Sequence, residues 1–111
     1  MAETFNAANA ALTTSFAQIY AAPSSSGDRS VVLSALVCNV DGTNTADVDL
    51  AIYSGGSAVT GGTLAKTITV PAKGSLELIA NKVILTAGQS LHAKASAASD
   101  LEITISALEL T

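Results

Sequence analysis

SVVLSALVCNV, residues Ser30–Val40, is apolar on both alternations of an extended chain. Val31, Leu33, Ala35 and Val37 would line one face of a strand and Val32, Leu36, Cys38 and Val40 the other, with Ser34 and Asn39 as the interruptions. Strands that read as near-continuous apolar runs have both faces covered, so this stretch predicts a central strand. Its flanks, SSSGDR at residues 24–29 and DGTNTAD at residues 41–47, are built from residues that favour turns over helix or ladder.

Toward the N-terminus, LTTSFAQIY at residues 12–20 carries Thr13, Thr14, Phe16, Ile19 and Tyr20 before stopping at Ala22-Pro23, which predicts a strand near Thr14–Tyr20. Residues 1–11 hold Ala and Asn around the one bulky anchor Phe5, without an amphipathic repeat. They predict an N-terminal arm that orders only against a neighbour. Toward the C-terminus, Val48, Leu50 and Ile52 alternate with Asp47, Asp49, Ala51 and Tyr53, a strand with one wet face. SGGSAVTGGT at residues 54–63 reads as a flexible connection or hairpin tip, and Leu64–Val70 as the next strand. In the turn Pro71-Ala72-Lys73-Gly74, Pro presets one dihedral and Gly is expected to supply the positive one. Residues 75–85, SLELIANKVIL, set Leu76 and Leu78 inward of Glu77, with a second apolar piece at Val83–Leu85. A turn at Ala87–Gln89 leads into an alternating strand at Ser90–Ser96. In the last strand, Leu101–Leu110, Leu101, Ile103 and Ile105 share one face while Leu108 and Leu110 sit on the other. That change predicts a bulge near Ser106–Ala107, or a strand end buried by something outside the domain. Seven or eight short strands with turns every ~8–12 residues specify an all-β, single-domain antiparallel β-sandwich over residues 12–111, immunoglobulin-like or jelly-roll-like.

A length of 111 residues fits one domain. Only 13% of residues are charged while 49% are hydrophobic, against a usual charged fraction of about 25%. The shortage of charge predicts surface that meets other subunits. A net charge of −4 and scattered cations (Arg29, Lys66, Lys73, Lys82, Lys94) argue against a nucleic-acid partner. No apolar run approaches the ~20 residues of a membrane span. The start, with an acid at Glu3, lacks the basic and apolar regions of a secretory signal, so a soluble protein made in the cytosol is expected.

Candidate chemistry is sparse. His92 lies on an alternating strand with no nucleophile motif in its context and reads as a surface residue. Cys38, mid-strand among valines, reads as core packing, and a single cysteine forms no internal disulfide. Asp41, Asp47 and Asp49, with Asn44, are the best oxygen cluster, but their spacing does not match a calcium loop. One His and one Cys cannot close a four-ligand transition-metal site. GGSAVTGG lacks the Gly-Lys-Ser/Thr of a phosphate cradle, GDR at residues 27–29 reads as a turn, and nothing pairs Glu77, Glu102 or Glu109 as acid and base. The expectation is a protein without catalytic, cofactor-binding or metal-binding residues.

LTTSFAQIYAAP, then VVLSALVCNVDG, then TITVPAKGSLELIANKVILTAGQSLHAKASA and the closing LEITISALEL follow an order that resembles small all-β structural proteins of tailed bacteriophage particles. The resemblance implies a non-enzymatic virion component. As a capsid decoration (cement) protein it would bind the major capsid protein as a homo-oligomer, trimer or dimer, at the capsid surface. A tail, neck or fibre component is the alternative. A carbohydrate- or receptor-binding module is a third reading, with Tyr53 beside the Gly-rich loop as its candidate. Neither nucleic acid nor membrane is an expected partner. Docking would use strand edges and the two termini, which singles out Met1, Phe5, Asn6, Leu108 and Leu110.

Overall fold

Alternating apolar residues punctuated by turns give nine strands in the computed structural model, which describes residues 2–111. In chain order they are β1 (Glu3–Ala11), β2 (Ala17–Ala21), β3 (Arg29–Asn39), β4 (Ala46–Ser54), β5 (Ser57–Val70), β6 (Ser75–Glu77), β7 (Val83–Thr86), β8 (Gln89–Ala95) and β9 (Leu101–Leu110). All pairings are antiparallel. One sheet, here sheet I, has the order β1-β9-β3-β6 with β7 also paired to β3; sheet II has the order β2-β8-β4-β5. The chain changes sheet at most connections and sets its first strand beside its last. That is a jelly-roll arrangement, in which β6 and β7 are two pieces of one edge strand. An immunoglobulin fold would divide its strands differently between the sheets. The core lies between the layers, where Val32 and Val37 of β3 and Ile103 and Ile105 of β9 meet Leu50 of β4 and Leu91 of β8, all fully buried.

Three sequence expectations change. The expected arm over residues 1–11 is not loose where it is described: Glu3–Ala11 pairs with β9 along its whole length without a register break. Ala8 and Ala10 pack against the core, and β-pairing supplies the order that composition did not announce. Second, the phase of β9 does not change. Ala107 is buried in step with Ile105, and the register shift lies in the facing strand, between Val32 and Ser34. Leu33 is the extra residue of that bulge, so Val31 faces outward and Val32 inward, the reverse of simple alternation with Ala35 and Val37. Third, β3 is covered on one face only. Leu33, Leu36 and Val40 are 37, 43 and 52% exposed.

Turn chemistry differs too. Gly55 and Gly56, with φ of 61° and 83°, close a two-residue hairpin between Ser54 and Ser57, so the Gly-rich stretch is strand on both sides of its tip. After Pro71 the positive φ, 61°, falls on Lys73. Gly74 is needed instead for space, since a Cβ there would lie 2.7 Å from Pro71 Cγ.

Two polar ties close the sandwich at its ends. Asn39, buried on β3, donates through Nδ2 to the carbonyls of Asn44 and Val70, each at 3.0 Å, and accepts the Asp41 amide at 2.9 Å. At the other end the buried Tyr20 hydroxyl of β2 donates to Glu109 Oε2 of β9 at 2.6 Å. Its single proton being used there, the Ser30 hydroxyl of β3 donates to it at 2.7 Å. Burial, then the neighbouring Glu109, push the Tyr20 pKa up to about 12. The fold therefore holds this proton more tightly than the unfolded chain does, and the stability it contributes is complete below pH ~10 and lost as pH rises through about 12. Tyr20→Phe should lower unfolding free energy by about 1–3 kcal/mol in urea titrations at pH 7. The gap from wild type should narrow in the same titrations run above pH 10.

Candidate functional site

Antiparallel partners share a face, so the register of sheet I fixes what its outer surface presents. One row runs across four strands: Phe5 of β1 opposite Leu108 of β9, Leu108 opposite Val31 of β3, and Val31 opposite Ile84 of β7. All four are apolar, and Phe5 and Ile84 at its ends are 78 and 61% exposed. The next row toward one end holds Glu3, Leu110, Arg29 and Thr86. The row on the other side holds the small residues Ala7, Ser106 and Ser34, where Phe5, Ala7, Leu33 and Ser106 line a shallow depression. Beyond it come Asn9, Thr104, Leu36 and Glu77, then Ala11, Glu102, Cys38 and Ser75.

The bulge that brings Leu33 to this surface is held by Glu77. On the edge away from β9, β3 has no strand partner between the residues paired to β6 and those paired to β7. Glu77 fills the gap, accepting the Ser34 hydroxyl at 2.6 Å, the Ala35 amide at 2.7 Å and the Ile79 amide at 3.2 Å. Partial burial opposes ionisation of this carboxyl, but the hydrogen bonds outweigh it and hold the pKa below the usual carboxylate range.

The outer surface of sheet II has another character. His92 of β8 stacks on Tyr53 of β4 with centroids 3.9 Å apart and planes at 7°, and Phe16 packs on Tyr53 at 5.8 Å. Lys94 sits 5.0 Å over the Phe16 ring. Asp47, Asp49, Lys66 and Lys94 line a polar groove beside this cluster. Tyr53 turns a ring face to His92, so the aromatic singled out for sugar stacking is already occupied by a neighbour. Burial lowers the His92 pKa.

Of the residues predicted to dock, Phe5, Leu108 and Leu110 come together on the outer face of sheet I. Asn6 points away from it: Nδ2 donates to Glu109 Oε2 at 3.2 Å and Oδ1 accepts the Ala7 amide at 2.9 Å. Met1 lies outside the described residues. Cys38 is half-buried on the outer face rather than in the core. The aspartates separate, Asp41 closing its own turn through the amides of Thr43 and Asn44, which hold its carboxyl below the usual range. Asp47 and Asp49 accept from Thr69 and from the Thr67 amide. Among the described residues no three His, Cys, Asp or Glu side chains gather as a metal site, and no helix is long and apolar enough to cross a membrane. Sequence reasoning missed Val31, Leu33, Ile84, Arg29 and Glu3 as members of one surface. The double apolar alternation of residues 30–40 was the signal for Val31 and Leu33.

The edges of the two sheets are unequal. β2 has five residues and a register shift, and β6 and β7 have three and four. β5 is broken by three register shifts and carries Lys66. Those edges are blunted in the ways that discourage pairing with another chain. β1 is nine residues long with one charged side chain, Glu3, and no proline. Ala2 and Thr111 exchange both backbone hydrogen bonds, at 2.7 and 2.9 Å, and Leu12 donates to Leu101 at 2.8 Å. Even-numbered residues thus turn their amides to β9, and Glu3, Phe5, Asn9 and Ala11 turn theirs to the open edge.

No protein-family model matches the chain, and no curated protein does. A solved chain from Bacillus endospore appendages, described as a novel family of disulfide-linked pili, is similar in structure: the TM-score is 0.57 at 20% identity, covering 99% of this chain and 87% of that one. The similarity shows the fold. It corrects the virion reading of the sequence: a solved chain with this architecture belongs to an endospore appendage, and the capsid decoration, tail and fibre roles are set aside.

Glu77→Ala should lower unfolding free energy by about 1–2 kcal/mol at pH 7. Because the folded-state pKa is depressed, this contribution is present at neutral pH and lost as pH falls below the ordinary glutamate value of about 4.3, so denaturation curves of variant and wild type should converge in acid.

Proposed function

We propose that the chain is a non-enzymatic structural subunit that associates with copies of itself into an extended, pilus-like array, the open edge of β1 pairing with the same edge of a neighbouring copy and a second contact carrying the array onward. The observation that carries this reading is the contrast between one long, unbroken edge and three blunted ones. Backbone groups left unpaired along such an edge template another strand. The likeness to a chain of an appendage supports it, as does the small share of charged residues. The array would be linked differently from disulfide-linked pili. One cysteine, Cys38, makes one disulfide and joins chains only in pairs, so contacts beyond a pair are non-covalent.

Asn9→Pro tests the edge. Proline removes an outward amide while leaving the ladder to β9 intact, so the variant should keep its unfolding midpoint. Wild type should sediment as large species and show filaments in negative-stain images, whereas the variant should stop at small species. A wild type that remains monomeric at every concentration, or a variant that polymerises equally well, overturns the proposal.

A further inference from the structure

The outer face of sheet I points to a second contact, stacked rather than edge-paired. We infer that two copies of this chain dock face to face across sheet I, each setting the row Phe5–Leu108–Val31–Ile84 on the same row of the other. The inference builds on the self-association reading and names the surface and the partner.

Symmetry selects the partner. A two-fold axis along the strands, between β9 and β3, keeps every row opposite itself and exchanges outer strands with outer and inner with inner. Phe5 then faces Ile84 of the second copy, and Leu108 faces Val31. Such a contact is isologous and closes as a pair. In the adjoining row the axis sets Arg29 opposite Leu110, one strand, ~4.8 Å, from Glu3 of the second copy. An arginine side chain spans that offset, so each dimer gains two Arg29–Glu3 ion pairs at its rim. The small row Ala7–Ser106–Ser34 lets the layers approach, and the depression bordered by Phe5 and Leu33 receives an apolar side chain from across.

Area is sufficient. β1 is nine residues long, ~30 Å, and four strands span about 19 Å, so each face offers a footprint of roughly 550 Å². Two faces together bury more than about 1,000 Å², the lower bound for a specific interface. Sheet II presents no comparable face: Asp47, Asp49, Lys66 and Lys94 charge it, and its aromatic rings pack on each other. The double apolar alternation of β3 also gains a cause. Its outer side is covered by a second copy.

The test is sedimentation equilibrium in the Asn9→Pro background, where edge pairing is removed. That protein should be a dimer. Phe5→Lys and Ile84→Lys, both at exposed positions, should each weaken the dimer at least about tenfold without lowering the unfolding midpoint. Phe5→Lys combined with Ile84→Glu should restore dimerisation, because the two substituted positions meet only across the two-fold and are three strands apart within a chain. A monomeric Asn9→Pro protein whose wild type still forms filaments overturns the face contact and leaves the edge reading standing. A dimer indifferent to both lysine substitutions, or one that the charge swap fails to restore, overturns it equally. A face-dependent dimer from a wild type that never polymerises supports the face contact and overturns the array.

Discussion

A sheet in a two-layer fold has one face to give to the core, and β3 has two apolar faces. That conflict organises the molecule. β3 pairs with β9, β6 and β7, so the placement of nearly all of sheet I depends on which of its faces turns inward. Burying Val32, Ala35 and Val37 together requires a break in alternation, and the bulge at Leu33 supplies it. On the opposite edge of β3 the ladder is open at the same level, between β6 and β7, and the Glu77 carboxylate closes it. What remains is the outward half: Val31, Leu33, Leu36 and Cys38, an apolar surface set by the same residues that build the core.

The core of the fold was legible in the sequence because burial writes a period of two. Val48, Leu50 and Ile52, or Leu101, Ile103 and Ile105, announce their strands, and β9 was expected at its observed bounds. β1 was not legible. ETFNAANAA contains few strand-forming side chains, and its conformation is imposed by the backbone of β9, which a local reading does not see. The bulge was expected on the wrong strand, because Leu108 and Leu110 are apolar on the outer face of sheet I and so imitate a change of phase in a strand that alternates regularly. Lys73 shows a similar limit: Gly74 was expected to supply the positive φ of the turn, but that φ falls on Lys73, and Gly74 is needed because a Cβ there would meet Pro71.

The candidate surface was half legible. Phe5, Leu108 and Leu110 were singled out as ends of the chain, and they are neighbours because the first and last strands pair. Arg29, Val31 and Ile84 complete the surface from strands distant in sequence, and only the sheet order brings them into register. Function was the least legible part. Strand-and-turn motifs such as VPAKG express the requirements of a sandwich, so they recur wherever the architecture does and carry no record of the particle or appendage in which it serves.

Edge and face suit different tasks in the proposed assembly. A backbone edge grows a sheet sideways with hydrogen bonds worth about 0.5–1.5 kcal/mol each in net terms, and four outward amides on β1 make a weak contact by themselves. The apolar face removes hydrocarbon from water and is non-directional until a register such as Arg29 with Glu3 fixes it. Joined in one particle, the second contact forms at the high effective concentration created by the first, so two weak interfaces yield a strong array. Neither need be strong enough to trap a misplaced subunit. That division fits a chain with one cysteine, whose proposed array would hold together by many reversible contacts where the disulfide-linked pili use covalent ones.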